Sequence, residues 1–241
     1  PRFSALGAKL KEPWAPTPSV VGAFDNDWLT ASVRTLGEAI ERSCQSHPRD
    51  RFNCLVEGSF YDLEGRVFDP VPFFPFSSID EENLRSLSMK WYPAKNYKSG
   101  VARLLPLRLT HLYGCMEHYI LDSIRTTNGT AMWTDRTTAT FKGLCELIER
   151  DAFFIHYLTK RSPPLIDRDI LSSGVKDMIR YIERYRLEVN LLDVSLEFKV
   201  PVVMCMIVDR TGIGPAVSIG TSCSRDPNNA MKSALLEALQ I

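Results

Sequence analysis

One short string of residues occurs three times in this chain. Leu36-Gly37-Glu38-Ala39-Ile40-Glu41-Arg42 is echoed by Leu144-Cys145-Glu146-Leu147-Ile148-Glu149-Arg150, and more weakly by Leu235-Leu236-Glu237-Ala238-Leu239-Gln240. In each copy the acidic pair, or the Glu/Gln pair, is three residues apart and shares one face of a helix. Any single copy also reads as a solvated charge ladder: Arg34, Glu38 and Arg42 are spaced by four, as are Lys142, Glu146 and Arg150. Such ladders contribute only about 0.2–0.5 kcal/mol per pair and do not require the string to recur. If the three faces converge, five carboxylates and one amide share a site. Like charges that close repel unless counter-charge is supplied. Oxygen-only ligands suit Mg²⁺ or Mn²⁺ rather than zinc or copper. Mg²⁺ usually takes one or two carboxylates together with substrate phosphates, so nucleoside-triphosphate chemistry is the expectation. Arg42 and Arg150, one residue after each acidic pair, suit a phosphate or a carboxylate.

Those side chains need helices to carry them. Leu29, Val33, Leu36 and Ile40 are spaced for one buried stripe of a helix over 27–45, which Asp25 or Asp27 caps. A long helix is expected over 137–160, with Phe141, Leu144, Ile148, Ala152 and Ile155 on one face and Pro163-Pro164 as its stop. A short polar helix or loop is expected over 77–88, and helices over 175–185 and from 229 onward. Strands are expected over 51–62, 189–194, 201–209 and 216–219. Four prolines make residues 1–20 an irregular entry segment, and 91–100 reads as a loop. The segment 104–122 fits either a strand then a helix or one broken helix, and Asn128-Gly129 is a turn signal. Strands mixed with long helices define an α+β (mixed α/β) fold.

Composition narrows the class. The 241 residues carry 29 basic and 29 acidic side chains, which argues against nucleic-acid binding through bulk positive charge. The longest apolar run, nine residues from Val200 to Val208, is far short of the roughly 20 needed to span a bilayer. No charged-then-apolar leader opens the sequence, so a cytoplasmic location and no membrane partner are expected. The six cysteines form no Cys-x-x-Cys pair and read as reduced, mostly buried small residues.

At the repeated strings the chain resembles the YcaO family. LGEAIER at 36–42, the Asn128-Gly129 turn and LCELIERDA at 144–152 look like that family's first two signatures, and Glu237-x-x-Gln240 looks like its third. The resemblance runs from about Gly22 to the end. It implies a YcaO-like domain over 21–241 of mixed sheets packed with long helices, with its C-terminal part expected to be missing. It also implies a nucleotide site without a Walker loop, in keeping with the absence of Gly-x-x-x-x-Gly-Lys-Ser/Thr. ATP and Mg²⁺ are the implied cofactors. The implied reaction is activation of a peptide backbone amide. A nucleophile adds to the carbonyl, the oxyanion takes the γ-phosphoryl group, and phosphate then leaves to give an azoline, thioamide or amidine. Carried over residue by residue, Glu38, Glu41, Glu146 and Glu149 are metal and phosphate-site ligands. Glu237 and Gln240 complete the nucleotide pocket beside Arg42 and Arg150. Implied partners are a peptide or protein substrate, a leader-binding or sulfur-delivery protein, and a second copy of the chain as a homodimer.

The chain departs from the family pattern in three places. Thr134 and Thr138 stand where the family has Asn and Glu, Ser233 stands where it often has Arg, and Gly22-Ala23-Phe24 replaces a Gly-Lys-Gly-like turn. Asp135 and Arg136 are the candidate substitutes. The alternative reading is therefore a degenerate homologue acting as a scaffold or partner subunit. Other constellations are weaker. His111, Cys115 and His118 share a helix face but lack a marked fourth zinc ligand. A di-iron bundle would need Glu-x-x-His, where this chain has Glu-x-x-Glu. The aromatic and basic residues of 91–98 make a single short segment best read as an ordinary loop.

Overall fold

A computed structural model describes residues 4–10, 19–46, 54–74, 79–111 and 126–240. The chain divides into two compact units. The larger comprises Pro1–Lys9, Val20–Ile40 and Asn128–Ile241, and the smaller Leu10–Ser19 and Glu41–Thr127.

In the larger unit, strands β1 (Ser4–Leu10) and β2 (Ser19–Asp25) pair and lead into helix α1 (Trp28–Ser46), which continues beyond Ile40 into the smaller unit. The entry segment expected to be irregular thus contains a strand. Beyond the second unit come helix α4 (Arg136–Thr159), α5 (Ser173–Glu183), strands β6 (Leu187–Asp193), β7 (Val202–Asp209) and β8 (Val217–Cys223), and helix α6 (Pro227–Ala238). The last three strands form an antiparallel sheet in the order β6-β7-β8, so β8 has one strand neighbour among the described residues.

Alternation along β7 assigns the two faces of that sheet. Val203, Cys205 and Ile207 point into a core with Val175, Met178, Ile179 and Ile182 of α5 and Ala230, Ala234 and Leu235 of α6. Val202 and Met204 point the other way, to Ile148 and Ala152 of α4. Each fully buried side chain of α5 stabilises by roughly 1.5–3 kcal/mol before conformational entropy is counted.

The three helices that carry the repeated string start alike. Asp27, Asp135 and Asp226 accept the backbone N–H of Thr30, Thr138 and Asn228 at 2.8, 2.8 and 3.0 Å, capping α1, α4 and α6. Four residues on stand Ala31, Ala139 and Ala230, eight on Thr35, Gly143 and Ala234, and eleven on Glu38, Glu146 and Glu237. The residues at the eighth place are all buried, because this face lies close against neighbouring backbone. A Cβ at Gly143 would run into the Gly129 backbone, and one at Gly220 of β8 into the α6 backbone.

This packing overturns one expectation. Leu29, Val33, Leu36 and Ile40 are 63%, 62%, 61% and 39% exposed, while Ala31 and Thr35 form the buried face at 0% and 3%. Close helix–strand approach selects small residues there, and hydrophobic periodicity picked out the opposite side. Leu144 on α4 is exposed for the same reason.

In the smaller unit, β3 (Val56–Gly58), α2 (Glu81–Ser86), β4 (Met89–Lys95), β5 (Ala102–Pro106) and the four-residue helix α3 (Leu107–Thr110) surround a core centred on Trp91. The Trp91 indole N–H donates to the Gly58 carbonyl at 2.9 Å. Residues 91–95, expected in a loop, belong to the central strand of the order β3-β4-β5. Pro93 is tolerated because β3 pairs only as far as Trp91, so among the described residues no strand on that side receives an N–H from it. Cys115 and His118 of the possible zinc face lie outside the described residues.

Candidate nucleotide and metal site

Four of the repeated glutamates share a device: Glu38, Glu146, Glu149 and Glu237 are each held by a backbone N–H. Glu38 accepts from Gly22 of β2 at 3.0 Å, and Glu146 from Gly129 of the Asn-Gly turn at 3.2 Å. Glu237 accepts from Thr221 of β8 at 3.1 Å, and Glu149 from Cys223 at 3.0 Å. Donor and acceptor are 16 residues apart for Glu38 and for Glu237, and 17 apart for Glu146, so a strand or turn followed by a capped helix recurs as one unit.

Two of these meet at the outer edge of β8. The N–H groups of Thr221 and Cys223 are two residues apart, so both point away from β7. Glu149 reaches that edge from α4 and Glu237 reaches it from α6, on opposite faces of the sheet. The Thr221 hydroxyl donates to the other oxygen of Glu149 at 2.7 Å. Thr221, 4% exposed, thereby ties together Glu149, 8% exposed, and Glu237. The Arg150 guanidinium stands 3.9 Å from Glu149 and 3.8 Å from Glu237.

One cation does not offset these carboxylates. Burial first, then the negative charge of Glu149, pushes the Glu237 carboxyl up to about 7, with a further contribution from Glu146 and opposition from Arg150 and the Thr221 N–H. The Glu237 side chain is 37% exposed, so added charge can reach it from outside. Beside it, burial and then the neighbouring Cys145 thiol push the Cys223 thiol up to about 12, which leaves it protonated and a poor nucleophile. Cys145 and Cys205 are buried as expected, whereas Cys44 and Cys54 are exposed.

Glu146, Glu149, Arg150 and Glu237 therefore come together, with Glu38 in the same unit on its own strand–helix pair. Glu41 and Arg42 are half-buried further along α1, in the smaller unit. Gln240 is exposed just past the end of α6, so the third string holds its site through the glutamate. Of the two candidate substitutes, Asp135 caps α4 and Arg136 is exposed in the first turn of that helix. Sequence reasoning missed Thr221, whose role depends on Glu149 and Glu237 converging on β8.

Among the described residues no three His, Cys, Asp or Glu side chains close on one point as a preformed metal cage. Mg²⁺ keeps waters and binds through one or two carboxylates plus phosphate oxygens. The all-oxygen donor set and the raised Glu237 carboxyl match a site that lacks positive charge until a cation arrives.

Backbone amides of β8 fix Glu149 of one helix and Glu237 of another. The family model described as YcaO cyclodehydratase, ATP- and Mg²⁺-binding, matches residues 26–241, and the chain belongs to that family. ATP and Mg²⁺ are the cofactors of the family. An uncharacterized protein of Methanothermobacter thermautotrophicus is 29% identical over 224 residues, 87% of this chain; the match spans about half, 54%, of that relative's length. The fold resembles that of a heterocyclase in complex with substrate and cofactor (TM-score 0.81, 16% identity, 92% of this chain and 32% of the other). It also resembles YcaO from Methanopyrus kandleri bound with AMPPCP and Mg²⁺ (TM-score 0.75, 20% identity, 99% and 58%). The E. coli microcin synthetase McbBCD complex gives a TM-score of 0.78 at 17% identity (92% and 57%). These likenesses bear out the mixed α+β fold. No helix of the described residues is long and apolar enough to cross a membrane.

Proposed function

We propose that this chain binds Mg-ATP at Glu38, Glu41, Glu146, Glu149 and Glu237, beside Arg42, Arg150 and Gln240, to activate a peptide backbone amide. The observation that carries this reading is the meeting of Glu149 and Glu237 on Thr221, with Arg150 between them. Bound Mg²⁺ would neutralise charge on the phosphates and on the glutamates. Glu146, Glu149 and Glu237 hold their places through backbone donors that need no rearrangement, which is the preorganisation phosphoryl transfer depends on. Arg150 orients Glu149 and Glu237 and remains close enough to meet a phosphate oxygen. The amide oxygen, made nucleophilic by addition to its carbonyl carbon, takes the γ-phosphoryl group and ADP departs. Loss of phosphate then leaves an azoline, thioamide or amidine. The added nucleophile comes from the substrate or from a sulfur- or nitrogen-delivering partner.

The implied partners are a ribosomally made peptide or protein, a leader-binding or sulfur-delivery protein, and a second copy of the chain, all in the cytoplasm. The similar microcin synthetase is a complex, and one of its structures has pro-MccB17 bound. A second reading, a non-catalytic partner subunit, is favoured by Thr134, Thr138 and Ser233 and by the engagement of Asp135 in capping.

Calorimetric titration of Mg-ATP into the protein, Glu146→Ala and Glu237→Ala separates the two. Binding that each substitution weakens at least about tenfold, the ~1.4 kcal/mol or more of a charge-assisted contact, supports the enzyme. No binding by folded wild-type protein refutes it and favours the partner subunit.

A further inference from the structure

On the face of the sheet that carries α5 and α6, these two helices wall a groove of about 670 Å³, within the range of ligand sites. Arg180 and Arg184 line it from α5 and its C-cap, and Lys232 lines it from α6, against the single carboxylate of Asp177. Three cations against one carboxylate leave a formal balance of +2 on a chain whose total is zero. Asp177 pairs with Arg180 on the outer surface. Arg184 and Lys232 form no ion pair with any described residue, so two charges face the groove uncompensated.

The groove has a firm base and polar walls. Val175 and Met178 belong to the buried core beneath it. The side-chain amides of Asn26 and Asn229 each offer a donor and an acceptor, the pairing that a peptide bond presents in reverse. From Gly174 to Arg184 the helix advances ten residues, about 15 Å at ~1.5 Å per residue. An extended peptide at roughly 3.3 Å per residue would place four or five residues along that length.

We propose that this groove docks an acidic, extended segment of the peptide or protein whose amide is modified at the carboxylate cluster. The assignment of that segment to a substrate rests on the amide-activation reading; the binding of acidic peptide does not. The positive groove and the negative cluster would then select opposite charges, one for the substrate's flank and one for metal-bound nucleotide.

The test is fluorescence anisotropy of a labelled ten-residue Glu/Gly peptide, without nucleotide and at low salt, on wild-type protein and on Arg184→Glu/Lys232→Glu. Expected is binding that weakens about tenfold or more in the variant and falls with added salt, as for paired surface charges. Neutral Ser/Gly and basic Lys/Gly peptides of the same length should not bind. Arg184→Gln/Lys232→Gln should show an intermediate loss, which guards against misfolding of the charge-reversed protein. Calorimetry should give the same Mg-ATP affinity for both variants as for wild type, because neither residue contacts the cluster. Acidic peptide binding no tighter than neutral peptide, or surviving both variants, overturns the proposal. So does a single-stranded oligonucleotide of equal charge that binds as tightly as the peptide. Mg-ATP titration of the wild type reports on the carboxylate cluster alone, so failure of the groove and failure of the nucleotide site give different results.

Discussion

Replacing Thr221 by valine removes one hydroxyl and keeps the shape and the backbone N–H. The hydrogen bond lost is the 2.7 Å donation to Glu149, between two groups that are 4% and 8% exposed. A hydrogen bond to a charged acceptor contributes about 1.5–3 kcal/mol, and a buried carboxylate oxygen left without its donor puts the loss at the upper end. The backbone donation from Thr221 to Glu237 at 3.1 Å is untouched, so the damage should fall on Glu149. At roughly 2–4 °C per kcal/mol for a chain of this size, the melting temperature should drop by about 6–12 °C. Mg-ATP affinity should fall with it, and Thr221→Ser should restore most of both. The assay is a thermal melt followed by circular dichroism, paired with calorimetric titration of Mg-ATP. If Thr221→Val melts within a degree of wild type and binds Mg-ATP equally well, Thr221 does not position Glu149. Serine failing as badly as valine would place the effect in the methyl packing instead.

Other consequences are open to direct measurement. A Glu237 carboxyl held near 7 binds its proton more tightly in the folded chain than when unfolded, so metal-free stability should decline as pH rises from about 4.5 through 7. Glu237→Gln should flatten that decline in a series of melts, and added Mg²⁺ should reverse it in the wild type only. Mg²⁺ affinity itself should rise with pH through the same window, because metal and proton compete for Glu237; a flat profile would remove Glu237 from the site. Gly143→Ala forces a methyl group into the Gly129 backbone and should cost at least about 1–3 kcal/mol as overpacking, read as a lower melting temperature and weaker Mg-ATP binding through the displaced Glu146 donor. Asp226→Ala removes the α6 cap and should cost about 1 kcal/mol without changing Mg-ATP affinity beyond the loss of fold.

What could be read from the sequence was the recurrence of Glu38, Glu146 and Glu237 on helices, because three-residue spacing of charged groups survives in one dimension. The helices over 136–159 and 173–183 and the strands over 202–209 and 217–223 were legible for a similar reason, since proline stops and long apolar periods bound them. The orientation of α1 was not. Its buried face is made of Ala31 and Thr35, which carry little hydrophobic signal, while Leu29, Val33 and Leu36 face outward. Strand β4 was hidden by Pro93, whose tolerance depends on how far β3 happens to pair. Thr221 was invisible because its role comes from two glutamates, 72 and 16 residues away, converging on one edge.

That edge has a meaning apart from catalysis. An outer strand with unpaired N–H groups is a template on which a second chain can extend the sheet, and proteins commonly block such strands. Here Glu149 and Glu237 occupy the donors of Thr221 and Cys223 with negative charge, so each carboxylate is also a gatekeeper against self-association. Substituting both by alanine would open two adjacent donors on β8 and remove the repulsion that guards them. Selection for solubility would then keep these glutamates in place even in a homologue that had stopped using ATP.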